Sequence, residues 1–367
     1  MLIPAIASLP QCGSGRAMAE QMPFSVVSVL VHERAFDRPH DIELQGGRAF
    51  VPGKGGSLAI VDVSRPQNPR LLWHRHDEEL LHDAETVLPA GDWLFVGTDD
   101  FIAVDVRDAQ HPVFGKRLSR PPQLSRINGL ARRGDTILAA SKGGFLVAFD
   151  IREPAAPSLA GVLNVRAEHA IAWPHDVDLF AGYAVVPDPQ RFGRDRTPGK
   201  LALFRVFEKG APRLLPSPRW KLAGVVATEE LAGANRVQVS GHHAFVGAST
   251  VGEGGRLVVV DLRGARSPRQ VASLPFAPHD GWGPNGLTVA GQVVFLAGGQ
   301  SVEAVDVSRP DQPAKLASER FTKELSGGRD SGHDLVYRDG YLYVTGQNDH
   351  CLVILRVVSE RIRQLAK

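Results

Sequence analysis

The sequence predicts an all-β chain that folds as a single seven-bladed β-propeller with four-stranded antiparallel blades. Three observations lead to this prediction. An apolar segment that ends in Asp and runs into a Pro-containing turn recurs along the chain, a second short apolar strand precedes each copy, and the copies are roughly 42 to 60 residues apart, as propeller blades are. We assign residues 23–367 to the propeller, with blades that start near residues 40, 82, 128, 175, 235, 285 and 333.

The recurring segment reads LAIVDVSRPQNP at residues 58–69. Its apolar run predicts a strand buried on both faces. The Asp can accept backbone N–H bonds, and Pro cannot continue a strand ladder, so the end of the segment predicts a turn. We therefore interpret the five aspartates at this point as turn-building residues: Asp62, Asp105, Asp150, Asp261 and Asp306.

Closure of the ring requires one more strand. The last repeat ends near Val357 and lacks a clear outer strand, whereas FSVVSVLVHE (24–33) is an apolar strand without a repeat of its own. Pairing of this N-terminal strand with the last blade would close the ring and remove an open edge. The C-terminal segment 358–367 is the alternative closing element.

Composition narrows the class of protein. Hydrophobic residues make up 43 % of the 367 residues and charged residues 22 %, which is sufficient for a sizeable core. A net charge of +2 gives no reason to expect a nucleic-acid partner. Two cysteines, Cys12 and Cys351, cannot form a disulfide framework, and no apolar run approaches the roughly 18 residues of a membrane span. We expect a monomer.

Residues 1–22 are interpreted as a leader, either a signal segment or a disordered one. Residues 2–9 are apolar, and Ala17-Met18-Ala19 fits a signal-peptidase site, but the basic residues that normally precede the apolar stretch are missing. An exported (periplasmic or secreted) and a cytoplasmic location therefore both remain open.

The pattern LxIVDVSxPxxP resembles the repeat of the LVIVD-repeat family. This resemblance covers nearly the whole chain and implies a β-propeller, commonly in exported bacterial proteins. It implies little about activity, because the repeat is a scaffold motif. Blades 4 and 7 depart from the pattern, since Arg205 and Arg356 replace the Asp, and blade 4 carries a long insert at residues 188–200.

A set of polar residues occupies one register position. In six blades, counting eleven residues back from the last core residue of the second strand leads to a His or an Asn. In blade 2 we place the equivalent position at His82, fourteen residues back, by allowing three extra residues near Pro89. An Asp follows each of these histidines. The position should open the innermost strand of its blade, so these side chains should converge on the mouth of the central channel: His40, His82, Asn128, His175, Asn235, Asn285 and His333.

Three hypotheses for this ring remain open. In the first, His40, His82, His175 and His333 bind a transition metal ion (iron, manganese or zinc), and the following carboxylates fix the imidazole orientation. The asparagines would then contact the ligand. In the second, the ring hydrogen-bonds water and connects the blades; in the third, it binds a ligand without metal. The following carboxylates are Asp41, Asp83, Asp176 and Asp334.

The loop HDGWGPNG (279–286) offers a second candidate site. His279 and Asp280 could form an acid–base pair beside an aromatic wall made by Trp282. The alternative interpretation is a Gly/Pro turn with a packed Trp. GKGGS (53–57) and SKGG (141–144) lack the helix that must follow a phosphate-binding loop, so we expect no nucleotide cofactor.

Two functions fit these features. One is a metal-dependent lyase, hydrolase or oxygenase that acts on a small organic molecule at the channel mouth. The other is a non-catalytic scaffold that binds a small-molecule ligand or a partner protein on the top face.

Overall fold

The computed structural model describes residues 22–190, 197–250, 254–277, 283–298, 301–320 and 332–367, and within these residues it contains seven four-stranded antiparallel sheets. The sequence prediction of a seven-bladed β-propeller is confirmed. His279, Asp280 and Trp282, and nearly all of the interpreted leader, lie outside the described residues.

Blades 1 to 3 follow one another in the chain, and each is a meander whose first strand faces the channel. Blade 1 consists of β2 (Glu43–Gln45), β3 (Arg48–Gly53), β4 (Ser57–Asp62) and β5 (Arg70–His76). Blade 2 consists of β6 (Thr86–Ala90), β7 (Trp93–Gly97), β8 (Phe101–Asp105) and β9 (Val113–Leu118). Blade 3 consists of β10 (Ile127–Arg133), β11 (Thr136–Ser141), β12 (Phe145–Asp150) and β13 (Ser158–Asn164).

Blades 4 to 6 repeat this order. Blade 4 consists of β14 (Asp178–Phe180), β15 (Tyr183–Asp188), β16 (Gly199–Arg205) and β17 (Lys221–Thr228). Blade 5 consists of β18 (Ala234–Ser240), β19 (His243–Thr250), β20 (Gly254–Asp261) and β21 (Arg269–Pro275). Blade 6 consists of β22 (Gly286–Ala290), β23 (Val293–Gly298), β24 (Ser301–Asp306) and β25 (Ala314–Arg320).

Blade 7 joins the two ends of the chain. Its inner strands are β26 (Gly332–Arg338), β27 (Tyr341–Gly346) and β28 (Cys351–Val357), and its outermost strand is β1 (Phe24–Val31). β1 pairs antiparallel with β28 from Phe24 opposite Val357 to Val31 opposite Cys351. The prediction that the N-terminal strand closes the ring is confirmed.

The alternative, closure by the C-terminal segment, is wrong. That segment forms helix α2 (Glu360–Leu365), which is capped by Ser359 and buries Ile362 against the core of blades 6 and 7. The only other α-helix in the described residues is α1 (Val165–His169), between blades 3 and 4. Neither helix has the length and apolar character that crossing a membrane would need.

The repeated apolar strands form the core between blades. Phe50 and Ile60 of blade 1, for example, pack with Leu94 and Val104 of blade 2, and all four side chains are buried. The aspartate that ends five of the seven repeated strands builds the following turn, as predicted. In each case one carboxylate oxygen accepts the N–H of the residue two positions later, at 2.9–3.0 Å, in Asp62, Asp105, Asp150, Asp261 and Asp306.

Candidate functional site in the channel

A shared backbone hydrogen bond defines the ring position at the channel mouth. The ring residue donates its N–H to the carbonyl twelve residues later, from His40 to Pro52 at 2.9 Å, from His175 to Pro187 at 3.1 Å and from Asn285 to Ala297 at 2.9 Å. In blade 2 the same bond runs from Glu85 to Gly97 at 3.0 Å. Glu85, and not His82, therefore occupies the ring position.

The backbone conformation supports this correction. The residue two positions before the ring residue is left-handed in blade 1 (Arg38, φ 54°), blade 2 (Asp83, φ 49°) and blade 3 (Arg126, φ 53°). The assignment of His82 is wrong because blade 2 needs no extra residues: Glu85 lies eleven residues before Val96, as in the other blades. The unbroken eleven-residue spacing is the sequence signal that identifies Glu85.

His82 lies outside the ring. Its side chain is 62 % exposed, and its Nδ1 is 3.2 Å from the carboxylate of Asp99. Asp83 follows it, and the carboxylate of Asp83 lies 3.4 Å from Arg126 Nε. The four histidines proposed as metal ligands therefore do not converge.

The other three histidines connect neighbouring blades. Nδ1 of His333 lies 2.8 Å from the carbonyl oxygen of His40, Nδ1 of His40 lies 2.8 Å from that of Glu85, and Nδ1 of His175 lies 2.9 Å from that of Asn235. Since a carbonyl only accepts hydrogen bonds, each Nδ1 carries the proton. Burial lowers the pKa of all three imidazoles well below the usual value, so the rings are neutral and Nε2 carries the lone pair.

Three cations surround the buried carboxylate of Glu85. Lys142 Nζ lies 2.5 Å, an Arg126 guanidinium nitrogen 2.9 Å and Lys54 Nζ 3.3 Å from its oxygens. Asn128 Nδ2 also donates to this carboxylate. Burial would raise the pKa of Glu85, but Lys142, Lys54 and Arg126 together hold it well below the usual range. Burial lowers the pKa of Lys142 to about 8 in spite of Glu85, with Lys54 and Arg126 acting in the same direction as burial.

The two lysines come from equivalent turns. Lys54 directly follows β3 and Lys142 directly follows β11, within the GKGGS and SKGG segments. Gln347 occupies the same place after β27 and lines the same cavity. The sequence analysis missed that the lysine side chains of these two turns reach the channel.

Arg236 divides the channel into two chambers. It follows Asn235 in β18, and its guanidinium donates to the carbonyl of Asn285 at 2.9 Å and lies 3.2 Å from Asp334. It lines both a cavity of about 370 Å³ at the ring, which we call the mouth chamber, and one of about 340 Å³ beyond it, the far chamber. Basic side chains line the mouth chamber, whereas acidic side chains predominate in the far chamber.

The aspartates that follow the ring histidines face the far chamber. Asp41 Oδ2 accepts the N–H of Val87, and Asp176 Oδ2 accepts that of Val237, each at 2.9 Å, so both tie their blade to the next one. Burial raises the pKa of Asp176 to about 6, against the effect of Arg236. Asp334, the third of these aspartates, has its carboxylate 3.2 Å from the guanidinium of Arg236. These carboxylates hold the blades in place behind the ring.

The mouth chamber combines cations, neutral imidazoles and amides. Of the three asparagines proposed as ligand-contacting residues, Asn235 and Asn285 line this chamber, whereas Asn128 is fully buried. Trp173 lies in the wall with its side chain 41 % exposed. No group of three or more His, Cys, Asp or Glu side chains within the described ranges is arranged to hold a metal ion. The full lining set is His40, Lys54, Ser125, Arg126, Lys142, Trp173, His175, Asn235, Arg236, Asn285, His333 and Gln347.

Comparisons with known proteins support the fold and the repeat. Residues 39–74 match the LVIVD repeat, which confirms the resemblance found in the sequence. The WD40 β-propeller domain of Doa1 is similar, with a TM-score of 0.61, 10 % identity and coverage of 93 % of this chain and 99 % of that one. The RRP9 WD40 repeats give a TM-score of 0.61 at 12 % identity, covering 91 % of this chain and 97 % of that one.

The computationally designed Ika8 protein gives a TM-score of 0.56 at 10 % identity, covering 91 % of this chain and 99 % of that one. At these identities the likeness shows the fold alone. No curated protein matches the chain.

Proposed function

We propose that this propeller binds a small organic anion in the mouth chamber. The observation that carries the proposal is the charge around Glu85: one buried carboxylate contacts Lys54, Arg126 and Lys142, and Asp83 lies beside Arg126, so these five groups hold one more positive than negative charge. Arg236 adds a fourth cation to the wall. Preorganised cations in a partly enclosed cavity attract anions more strongly than the same groups on an open surface.

The role of Glu85 is to position the cations. Without a carboxylate, two lysines and an arginine in one buried cluster would repel one another, which would destabilise the folded protein. Glu85 fixes all three, and their remaining N–H groups can donate to a ligand. A cavity of about 370 Å³ lies at the lower end of the range, about 300–1,000 Å³, that small-molecule sites occupy.

The same charges argue against the metal hypothesis. Lys54 and Arg236 lie close enough to His40 and His333 to lower the pKa of both imidazoles, in addition to the larger effect of burial. A divalent ion at these rings would meet the same repulsion as a proton does. Binding of an anion needs no metal and no reaction. The proposal therefore corresponds to the hypothesis of a non-catalytic scaffold that binds a small-molecule ligand.

Replacement of the two lysines tests this proposal. Lys54→Met and Lys142→Met keep most of each side chain's volume and remove its charge. Because a charge-assisted hydrogen bond contributes about 1.5–3 kcal/mol, each variant is expected to bind anions at least about tenfold more weakly. Affinity for citrate, gluconate and inorganic phosphate would be measured by isothermal titration calorimetry.

The matched control is Lys116→Met, an exposed lysine on outer strand β9. This variant should bind as the wild type does. If none of the anions binds to the wild-type protein, or if both chamber variants bind as tightly as the control, the proposal is wrong.

A further inference from the structure

We infer that the anion in the mouth chamber carries several hydroxyl groups, as sugar acids and sugar phosphates do. This inference rests on the proposed anion site and adds the identity of the ligand's uncharged part. The observation is that the chamber is lined by both hydrogen-bond donors and hydrogen-bond acceptors. An anion without hydroxyl groups would satisfy only the donors.

His40 and His333 supply the first acceptors. Their rings lie side by side, with centroids 4.1 Å apart. Both use Nδ1 to donate to backbone carbonyls, at 2.8 Å in each case. Each therefore offers the lone pair of Nε2 to the chamber that it lines. Two neighbouring acceptors fit a ligand that presents two neighbouring donors.

Asn235 supplies a third acceptor. Its Nδ2 donates to Asn285 Oδ1 at 3.0 Å, and its Oδ1 is buried without a hydrogen-bond partner among the described residues. Asn235 is 2 % exposed and lines the mouth chamber. A buried acceptor of this kind is costly unless a donor reaches it, and an O–H group of a ligand in the chamber would be such a donor.

The charges near these acceptors decide which donor fits. An ammonium group could donate to both imidazoles, but Lys54 and Arg236 already place positive charge beside them. A cationic donor would be repelled there, whereas a neutral hydroxyl would not. The ligand's negative group then lies toward Lys54, Lys142 and Arg126, and its hydroxyl groups lie toward His40, His333 and Asn235.

Trp173 favours a cyclic ligand. Its large aromatic side chain is part of the chamber wall and is 41 % exposed. Aromatic rings offer a flat apolar face with a negative quadrupole, which packs well against the C–H groups of a sugar ring. A carbohydrate that carries an anionic group combines this apolar face with hydroxyl donors and a negative charge.

Two pairs of ligands test the inference on the wild-type protein. Each pair shares its anionic group and ring size and differs in hydroxyl content: glucuronate against cyclohexanecarboxylate, and glucose 1-phosphate against cyclohexyl phosphate. Isothermal titration calorimetry should show at least about tenfold tighter binding of the hydroxylated member in one or both pairs, because at least two additional hydrogen bonds form. The pair that shows the preference identifies the anionic group.

The outcomes separate this inference from the proposed anion site. Binding of both members of each pair within about threefold would overturn the inference and leave the anion site intact. Binding of inorganic phosphate or citrate, but of neither glucuronate nor glucose 1-phosphate, would likewise overturn the inference and leave the anion site intact. If no anion of any kind binds, the anion site itself is wrong. His333→Phe keeps an aromatic ring but removes Nε2 and also the Nδ1–H bond to the carbonyl of His40. It should reduce the preference within a pair, and its fold can be checked by circular dichroism.

Discussion

Removal of residues 1–31 is expected to destabilise the protein by more than about 5 kcal/mol, which is comparable to the entire stability of many domains. The deletion removes β1, which forms the outer edge of blade 7 and pairs with β28 over its whole length. It also removes Phe24, whose buried ring packs in the core of blades 6 and 7. Loss of a buried Phe side chain alone costs about 3–5 kcal/mol, and β28 would become an exposed apolar edge.

Urea denaturation followed by circular dichroism measures this effect. Deletion of residues 1–21 keeps β1 and serves as the control, which should unfold at the same urea concentration as the full chain. Equal midpoints for the two truncations would contradict the role of β1 in closing the ring.

Replacement of Glu85 by Gln is expected to change stability and ligand affinity in opposite directions. The carboxylate is fully buried and contacts Lys54, Arg126 and Lys142. Its loss removes the counter-charge of Lys54 and Lys142 and leaves Arg126 paired with Asp83, and breaking a buried ion pair from one side costs about 3–5 kcal/mol. The chamber of the folded variant carries one more positive charge, so anions should bind more tightly and should restore part of the lost stability.

Thermal unfolding with and without an anion, together with calorimetry, measures both effects. Glu208→Gln is the matched control, because Glu208 forms an exposed ion pair with Arg213 at 2.6 Å, and such pairs contribute at most about 1 kcal/mol. Weaker anion binding by Glu85→Gln, at a concentration of folded protein equal to that of the wild type, would contradict this prediction and show that positioning of the cations by Glu85 outweighs the added positive charge.

The low pKa of Glu85 adds a dependence on pH. Because the folded-state pKa lies below the ordinary value of 4.5, the ionised carboxylate stabilises the protein above about pH 4.5. That stabilisation decreases as the pH falls further, so the difference in stability between the wild type and Glu85→Gln should narrow in acid.

The fold was accessible from the sequence because each blade repeats the same local chemistry. An apolar strand, an aspartate that accepts a backbone N–H and a proline recur with nearly constant spacing, and these features depend on neighbouring residues only. Closure by β1 was also predictable, since one strand remained without a repeat. The C-terminal helix was not, because burial of Ile362 depends on the surface that blades 6 and 7 create together.

For the candidate site, only the positions of the ring residues in the sequence were predictable. Counting eleven residues backward correctly located His40, Asn128, His175, Asn235, Asn285 and His333, but the choice of His82 required a shift that the backbone does not make. Lys54, Lys142 and Arg236 were missed because their role depends on closure of the ring. Arg236 reaches Asp334, 98 residues away, and Lys142 reaches Glu85, 57 residues away. Local spacing carries no signal for such contacts.

The most direct test of the anion site is a crystal structure of the protein soaked in selenate, an oxyanion that can be located by its anomalous scattering. We expect an anomalous peak in the mouth chamber, within hydrogen-bonding distance of Lys54 Nζ or Lys142 Nζ, and we expect glucuronate or glucose 1-phosphate to displace it. A chamber without a peak in crystals that bind selenate elsewhere would contradict the account. A transition-metal peak between His40 and His333 would contradict it in favour of the metal hypothesis.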